Sequence, residues 1–237
     1  MPVLGIVPAR AGSKRIPKKN ITLVNGRPMI ANILNVAKES DIFDRIHVST
    51  DSKEIASVAA DLGFKPHFMR DPSLADDYTP LQPVLKWVVD QFAERGEIFD
   101  TIFLLMPSAV LVEPDDLKRG LEVFNKNKKK KPLMVMAPYP APIEWAFTMK
   151  NNGTLSPVNP ESLNTRSQDL PDKYYDAGLF DIYSSMHLAQ EKTVGEHQYI
   201  SIKIAPYKAI DIDTPEDLVL AETLCRGLQG LPKEKLS

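Results

Sequence analysis

Residues 3–20 read VLGIVPARAGSKRIPKKN, and they join a short apolar run to a strongly basic loop. Residues 3–8 are apolar and lie between a proline and the loop, which predicts a buried strand. The loop, residues 10–20, contains Arg10, four further lysines and arginines, and one glycine, Gly12. In open parallel sheets, ligands bind beyond the carboxyl ends of the strands. The segment therefore predicts an anion-binding loop at one edge of a parallel sheet.

The rest of the chain alternates apolar runs with segments of helical period. This favours an α/β fold with a mostly parallel sheet and helices on both faces. Residues 81–92 give the clearest helix, because their apolar side chains fall on one helical face. Residues 98–106 are apolar almost throughout, as expected of a strand that is covered on both faces. Further strands are predicted over residues 45–50, 64–69, 133–137, 178–183 and 200–204, and further helices over residues 28–39, 52–62, 114–127 and 214–226.

Residues 138–173 interrupt this alternation. They are rich in proline and polar residues and show no clean period. We expect them to leave the sheet as a lid or as an arm used in oligomer formation. Since no linker or internal repeat is visible, residues 1–237 are predicted to form a single domain.

Composition restricts the classes of function. The chain has 29 Lys and Arg against 31 Asp and Glu, a formal net charge of −2, whereas nucleic-acid-binding domains are usually strongly basic. We therefore expect no nucleic-acid partner. The single cysteine allows no internal disulfide. No apolar run approaches the ~20 residues of a membrane-spanning helix, and the N-terminus lacks the pattern of a signal peptide. We expect a cytoplasmic protein with no membrane partner.

The basic loop has the side chains needed for a triphosphate. Arg10, Lys14 and Lys19 can form charge-assisted hydrogen bonds with phosphate oxygens, and the backbone around Gly12 and Ser13 can turn N–H groups toward an anion. The spacing is that of neither a Walker loop nor a dinucleotide-binding fingerprint. The alternative is a basic loop that is simply solvated.

A pair of carboxylates near the C-terminus is a candidate metal site. In an extended segment, Asp211 and Asp213 point to the same side and can share one hard cation. Mg²⁺ favours one or two carboxylates, with water and substrate phosphates as its remaining ligands. The alternative is that Asp213 caps the following helix, since Pro215 suits its first turn. Glu216 and Asp217 are expected in that first turn, where acids complement the helix dipole.

A third candidate site follows the segment predicted over residues 64–69. Arg70 precedes a short polar stretch that ends at Asp77. Its guanidinium group can contact the edge of a base or a phosphate. The alternative is a surface ion pair.

Taken together, these segments resemble the acylneuraminate cytidylyltransferase family, the CMP-sugar synthases, over nearly the whole chain from Val3 to about Leu224. The motifs are PARAGSKRIPKKN at residues 8–20, RIHVSTD at residues 45–51, Arg70 with LADD at residues 74–77, and DIDTPED at residues 211–217. The resemblance implies a Rossmann-like fold of the nucleotide-diphospho-sugar transferase type.

Two segments are similar to the pseudaminic acid branch of that family. Residues 106–111 read MPSAVL, where the sialic acid branch usually has a QPTSP block. Residues 164–170 read NTRSQDL, and residues 174–180 read YYDAGLF. Residues 174–180 depart from the usual pattern of the branch, because Tyr175 stands where a histidine is typical.

The resemblance implies a role for each matching residue. Arg10, Lys14 and Lys19 would be catalytic and would hold the triphosphate with Ser13, with Asn20 near the nucleotide. The cytidine would be placed by Arg70 and Asp77, and Ser108 and Ala109 would line the floor between nucleotide and sugar. The sugar would contact Arg166, Gln168 and Asp176, and Mg²⁺ would be held by Asp211 and Asp213.

The implied reaction is the transfer of CMP from CTP to an acidic nine-carbon α-keto sugar, with pseudaminic acid favoured. A synthase for sialic, legionaminic or Kdo-type sugars is the alternative within the class. A non-catalytic nucleotide-binding regulator on the same sheet is the alternative outside it. The resemblance also implies a homodimer in which residues 138–173 pack on the partner.

Overall fold

A computed structural model describes residues 2–190 and 198–229. It places ten strands and six α-helices in these residues. The strands are β1 Val3–Pro8, β2 Leu23–Val24, β3 Arg27–Pro28, β4 Arg45–Ser49, β5 Thr101–Leu105, β6 Leu133–Pro138, β7 Phe147–Met149, β8 Leu155–Pro157, β9 Tyr174–Ser184 and β10 Ile200–Lys203. The helices are α1 Met29–Ser40, α2 Lys53–Asp61, α3 Leu81–Ala93, α4 Pro114–Lys126, α5 Ser185–Ala189 and α6 Pro215–Gln229.

Six of the strands form one sheet in the order β10-β6-β9-β5-β1-β4. Strand β9 runs antiparallel to both neighbours, and the other strand pairs are parallel. The predicted, mostly parallel sheet is thus confirmed. The carboxyl ends of β1, β4 and β5 meet at one edge, so the segments that follow Pro8, Ser49 and Leu105 lie side by side.

Helices cover both faces of the sheet, as the sequence predicts. On one face, α1, α2 and α4 bury apolar residues such as Ile33, Ile55 and Phe124. On the other face, α3 packs against Leu4, Ile6 and Ile102 through a fully buried stripe. That stripe is Val84, Leu85, Val88 and Phe92, and each such side chain contributes about 1.5–3 kcal/mol when it is fully buried.

The strand predicted over residues 64–69 does not form. These residues are irregular, and Pro66 lacks the N–H that a sheet ladder needs. Their apolar character has another cause, because Phe68 packs in an aromatic cluster, 4.3 Å from His47 and 5.1 Å from Phe92 between ring centroids. Strand β4 therefore remains an edge of the sheet.

Residues 138–173 leave the sheet between β6 and β9, as predicted. They contain the short antiparallel hairpin β7–β8 and several single turns of 3₁₀-helix. The hairpin region exposes large apolar side chains, namely Phe147, Met149, Leu155 and Val158. No helix in the described part of the chain is long and apolar enough to span a membrane.

Candidate active site

The basic loop leaves β1 at the carboxyl edge of the sheet and is held there by polar contacts. The Asn20 amide is buried and donates to the backbone oxygen of Arg10 at 3.0 Å, which closes the loop on itself. The backbone N–H of Ala11 donates to Asp51 Oδ1 at 3.0 Å, at the carboxyl end of β4. These two contacts hold the backbone of the loop against the edge of the sheet, while the side chains of Lys14 and Arg15 remain exposed.

The loop forms one wall of an open cleft of about 380 Å³. Facing walls come from the start of α3, the turn after β5, and the segment before α6. The lining residues are Pro8, Arg10, Gly12, Ser13, Lys14, Arg15, Lys19, Asn20, Arg70, Asp77, Leu81, Met106, Pro107, Ser108 and Asp213. The cleft thus brings together most of the residues predicted for the nucleotide.

Two cations of the loop converge on one carboxylate. Arg10 Nη1 and Lys14 Nζ each lie 2.5 Å from an oxygen of Asp77. Hydrogen bonds from Lys14 and Arg10 lower the pKa of Asp77 below its ordinary value. Asp77 therefore lies between two of the cations that are predicted to bind phosphate.

Two further cations of the basic loop contact Asp213. Arg15 Nη2 lies 2.7 Å from Asp213 Oδ2, and Lys19 Nζ lies 3.0 Å from Asp213 Oδ1. Lys19 Nζ also donates to the backbone oxygen of Ile212 at 2.9 Å. Arg15 and Lys19 thus join the basic loop to the segment with the predicted metal ligands.

Asp211 and Asp213 are electrostatically coupled. Asp211 is exposed and, unlike Asp213, does not line the cleft. Partial desolvation of its carboxylate and the negative charge of Asp213 raise its pKa above the ordinary value. Two carboxylates that repel each other suit a divalent cation. No group of three or more possible metal-ligating His, Cys, Asp or Glu residues occurs among the residues that the structure describes.

The Asp213 side chain does not cap α6, and it lines the cleft instead. Thr214 occupies the capping position, because the Asp217 N–H donates to Thr214 Oγ1 at 3.3 Å. The N–H groups of Asp213 and Thr214 both donate to Asp217 Oδ2 in return. The alternative assignment of Asp213 as the helix cap is therefore wrong, whereas Glu216 and Asp217 lie in the first turn as predicted.

Arg70 is a largely buried part of the cleft wall. It is only 4% exposed, and it donates through Nε to Ser49 Oγ at 3.0 Å and through Nη2 to the Ser49 backbone oxygen at 2.7 Å. Burial lowers the pKa of Arg70 to about 10, and the nearby Asp51 partly opposes this effect. These contacts exclude the alternative of a surface ion pair.

The turn after β5 contains two predicted site residues, Ser108 and Ala109, and places them in different surroundings. Ser108 is buried and lines the cleft. Ala109 is fully buried in the apolar core, and its backbone N–H donates to the Met106 oxygen at 3.1 Å. Ala109 thus supports the turn from below the cleft surface.

The residues predicted for the sugar lie outside the cleft lining. Arg166 is exposed and forms two hydrogen bonds with Asp169, at 2.8 and 3.2 Å. Gln168 is exposed in the same turn. Asp176 is exposed near the start of β9 and accepts from the Gly178 N–H at 2.9 Å.

Sequence reasoning did not assign roles to several residues that the cleft contains. Arg15 is the most important, because it adds a fourth cation of the basic loop to the lining of the cleft. Its position within the basic loop was the available signal. Leu81, Pro107 and Met106 supply apolar surface that no local pattern marks as part of a site.

A family model and the known proteins of similar sequence point to the same family. A family model described as cytidylyltransferase matches residues 4–234. The chain is 35% identical over 222 residues to a pseudaminic acid cytidylyltransferase of Campylobacter jejuni, covering 93% of this chain and 95% of that protein. It is 31% identical to the CMP-N,N'-diacetyllegionaminic acid synthase of Legionella pneumophila, covering 94% of this chain and 96% of that protein.

Solved structures support the fold. A CMP:2-keto-3-deoxy-manno-octonic acid synthetase complexed with CTP superposes with a TM-score of 0.69 at 16% identity, covering 98% of this chain and all of that one. The 4-diphosphocytidyl-2C-methyl-D-erythritol synthase of Anaerococcus prevotii superposes with a TM-score of 0.59 at 11% identity, covering 95% of this chain and 96% of that one. At such identities, the likeness concerns the fold.

Proposed function

The chain belongs to the cytidylyltransferase family, and from this premise we propose that it transfers CMP from CTP to an acidic nine-carbon α-keto sugar, with pseudaminic acid as the favoured sugar. The observation that carries the proposal is the convergence of four loop cations on one cleft at the carboxyl edge of the sheet, namely Arg10, Lys14, Arg15 and Lys19. The 35% identity to a pseudaminic acid cytidylyltransferase over most of both chains supports the choice of sugar.

The chemistry requires positioning and neutralisation of charge. The anomeric hydroxyl of the sugar attacks the α-phosphorus of CTP, a new O–P bond forms, the bond between the α- and β-phosphates breaks, and the hydroxyl proton passes to solvent. Pyrophosphate leaves. Arg10, Lys14 and Lys19 hold the phosphates and offset the negative charge that develops on them, which is the main protein contribution to such transfers.

Mg²⁺ is the proposed cofactor. Asp211 and Asp213 fit it as a coupled pair of carboxylates beside the phosphate-binding wall. When bound, Mg²⁺ would supply Lewis-acid neutralisation of the phosphate oxygens. Arg15 and Lys19 also pair with Asp213, at 2.7 and 3.0 Å.

The nucleoside is assigned to the part of the cleft beyond the cations. Asn20 orders the loop beneath the nucleotide, Ser108 forms the floor, and Ala109 supports that floor from the core. Arg70 and Asp77 are proposed to place the cytidine, Arg70 as a fixed donor and Asp77 through the orientation of Arg10.

The sugar is assigned to the side of the cleft that faces β9 and residues 138–173. Arg166 is proposed to bind the sugar carboxylate, because its planar guanidinium group suits a carboxylate and exchanges Asp169 for it. Gln168 and Asp176 are proposed to contact hydroxyl or acylamino groups. An Arg166→Ala variant is expected to raise the Michaelis constant for the sugar far more than that for CTP.

A homodimer is also proposed. The apolar side chains exposed around the hairpin, including Phe147 at 49% and Met149 at 72%, suit burial against a second copy. Sedimentation of wild type should give the mass of two chains, and Met149→Asp should shift it toward one.

We assign the reaction to the cytoplasm because CTP is an intracellular nucleotide.

One assay tests the proposed function. Pyrophosphate release from CTP is measured with pseudaminic, sialic, legionaminic and Kdo-type sugars offered separately. Release with pseudaminic acid at the highest kcat/KM supports the proposal, whereas a higher kcat/KM with another sugar corrects the substrate. Binding of CTP without release of pyrophosphate for any sugar would indicate a nucleotide-binding regulator instead.

A further inference from the structure

A polar cluster lies among apolar residues on the face of the sheet that α3 covers. It consists of Asp181 and Tyr183 on β9, Gln82 in the first turn of α3, and Tyr199 just before β10. The Tyr183 hydroxyl donates to Asp181 Oδ2 at 3.1 Å, and Tyr183 is only 1% exposed. Burial and the charges of Asp181 and Asp176 raise the pKa of Tyr199, whereas a hydrogen bond with Tyr183 lowers it. These groups therefore surround one small region.

This polar cluster adjoins the floor of the cleft. Asp181 pairs with Leu104 in the β5–β9 ladder, and two residues further along, the Met106 N–H donates to the Leu179 oxygen at 2.9 Å. Met106 lines the cleft. Leu81 also lines the cleft and directly precedes Gln82. The cluster thus lies beneath the wall of the cleft that faces β9, which is the side assigned to the sugar.

The carboxylate of Asp181 has no compensating cation in the described part of the chain. No lysine or arginine there forms an ion pair with it, and the nearby charge of Asp176 has the same sign. Burial, followed by repulsion from Asp176, raises the pKa of Asp181 to about 7, although the hydrogen bond from Tyr183 acts in the opposite direction. An apolar side chain would pack on this face at lower cost. Acids with strongly perturbed pKa values are concentrated at functional sites.

Donor and acceptor groups of the cluster are only partly used. One oxygen of Asp181 accepts from Tyr183, which leaves the other available to a ligand. The Gln82 amide is buried and lies close enough to the hydroxyls of Tyr183 and Tyr199 to act against the rise of their pKa values, but its nitrogen completes no hydrogen bond of normal geometry among the described residues. Buried polar groups are otherwise almost always paired. The cluster therefore has the composition of a binding surface for a polar ligand that supplies both a donor and an acceptor.

We propose, on the basis of the proposed cytidylyltransferase function, that Asp181 is a specificity residue of the sugar subsite that accepts a hydrogen bond from an acylamino N–H or a hydroxyl of the sugar. Tyr183 positions its carboxylate, and Gln82 donates to an oxygen of the same substituent. A site built to pair a polar group rejects an analogue that lacks it, because the buried groups are then left unpaired. The subsite thus selects sugars that carry a polar substituent at this point.

The test compares Asp181→Asn with wild type and with Asp90→Asn. Asp90 is an exposed acid on α3 whose recorded partner is Lys86, so it serves as the matched control. CTP affinity is measured by calorimetry, and steady-state constants are measured with CTP and pseudaminic acid varied separately. We expect Asp181→Asn to raise the Michaelis constant for the sugar about tenfold, the loss expected for one charge-assisted hydrogen bond, with CTP affinity unchanged. Asp90→Asn should match wild type.

A second variant separates a binding role from a structural one. Tyr183→Phe retains the carboxylate but removes the hydroxyl that orients it, so it should raise the same constant by a smaller factor. Unchanged sugar constants in both variants, with CTP binding and fold intact, would overturn the inference while leaving the proposed function in place. If wild type releases no pyrophosphate with any sugar, the proposed function itself fails. If Asp181→Asn does not fold, the sugar constants of Tyr183→Phe decide the question.

Discussion

Replacing Lys19 with methionine isolates the contribution of one of the two cations that join the basic loop to the segment before α6. Lys19 is 21% exposed, and its ammonium group donates to the Ile212 oxygen at 2.9 Å and to Asp213 at 3.0 Å. When CTP binds, this group can contact a phosphate in a partly desolvated site. A charge-assisted hydrogen bond contributes about 1.5–3 kcal/mol, so Lys19→Met should weaken CTP binding roughly tenfold to 150-fold. Methionine retains most of the apolar volume of the lysine stem.

The neighbouring Lys18 provides a matched control. Lys18 is 64% exposed and pairs with Glu54 on α2, outside the cleft. Calorimetric titration of CTP in the presence of Mg²⁺ should therefore give near-wild-type affinity for Lys18→Met. The reasoning fails if Lys19→Met binds CTP within about threefold of wild type, or if Lys18→Met loses as much affinity. Thermal unfolding of both variants identifies any loss that arises from misfolding.

Three further predictions concern the metal ligands, a buried ion pair and the stability of the protein at acid pH. Asp211→Asn or Asp213→Asn should reduce turnover about a hundredfold or more while the fold is retained, and full wild-type activity in excess chelator would contradict the metal assignment. Lys208→Met should lower stability by about 2 kcal/mol, seen as roughly 4–8 °C in Tm, because Lys208 lies 2.7 Å from the buried Asp116; an unchanged Tm would show that this pair is dispensable. Burial lowers the pKa of His47 to about 3, so the unfolded state binds a proton below pH 6.5 that the folded state excludes. Chemical unfolding of wild type against His47→Leu should therefore show about 2 kcal/mol of stability lost by wild type alone between pH 7 and pH 5, and parallel pH profiles would refute this.

The fold was predictable wherever burial imposed a period. The apolar stripe of α3 follows from its sequence, because only one face of that helix meets the sheet. Residues 64–69 show where an apolar run does not indicate a strand. Phe68 packs in an aromatic cluster and takes no part in a sheet ladder. The antiparallel direction of β9 was also not accessible, because pairing direction depends on how the long excursion of residues 138–173 returns to the sheet.

The site was predictable to the extent that chemistry lies in consecutive residues. Arg10, Lys14 and Lys19 occur in one loop, and Asp213 belongs to a short acidic motif. Asp181 gave no such signal, because the groups that surround it come from α3, from β9 and from the segment before β10. Contacts between distant parts of the chain are set by the fold, so they are not visible in local spacing.

The carboxylates of Asp77 and Asp213 have a consequence for how a polyanion enters the cleft. Each of the four loop cations already has a negative partner within 3.0 Å. Binding of a triphosphate is therefore an ion exchange, in which phosphate oxygens replace carboxylate oxygens on a loop that already has its working shape. Such an exchange keeps the ordering entropy of binding small, and it favours ligands with enough charge to compete with two carboxylates at once. A triphosphate carries more negative charge than a nucleoside monophosphate, so this exchange favours CTP over CMP.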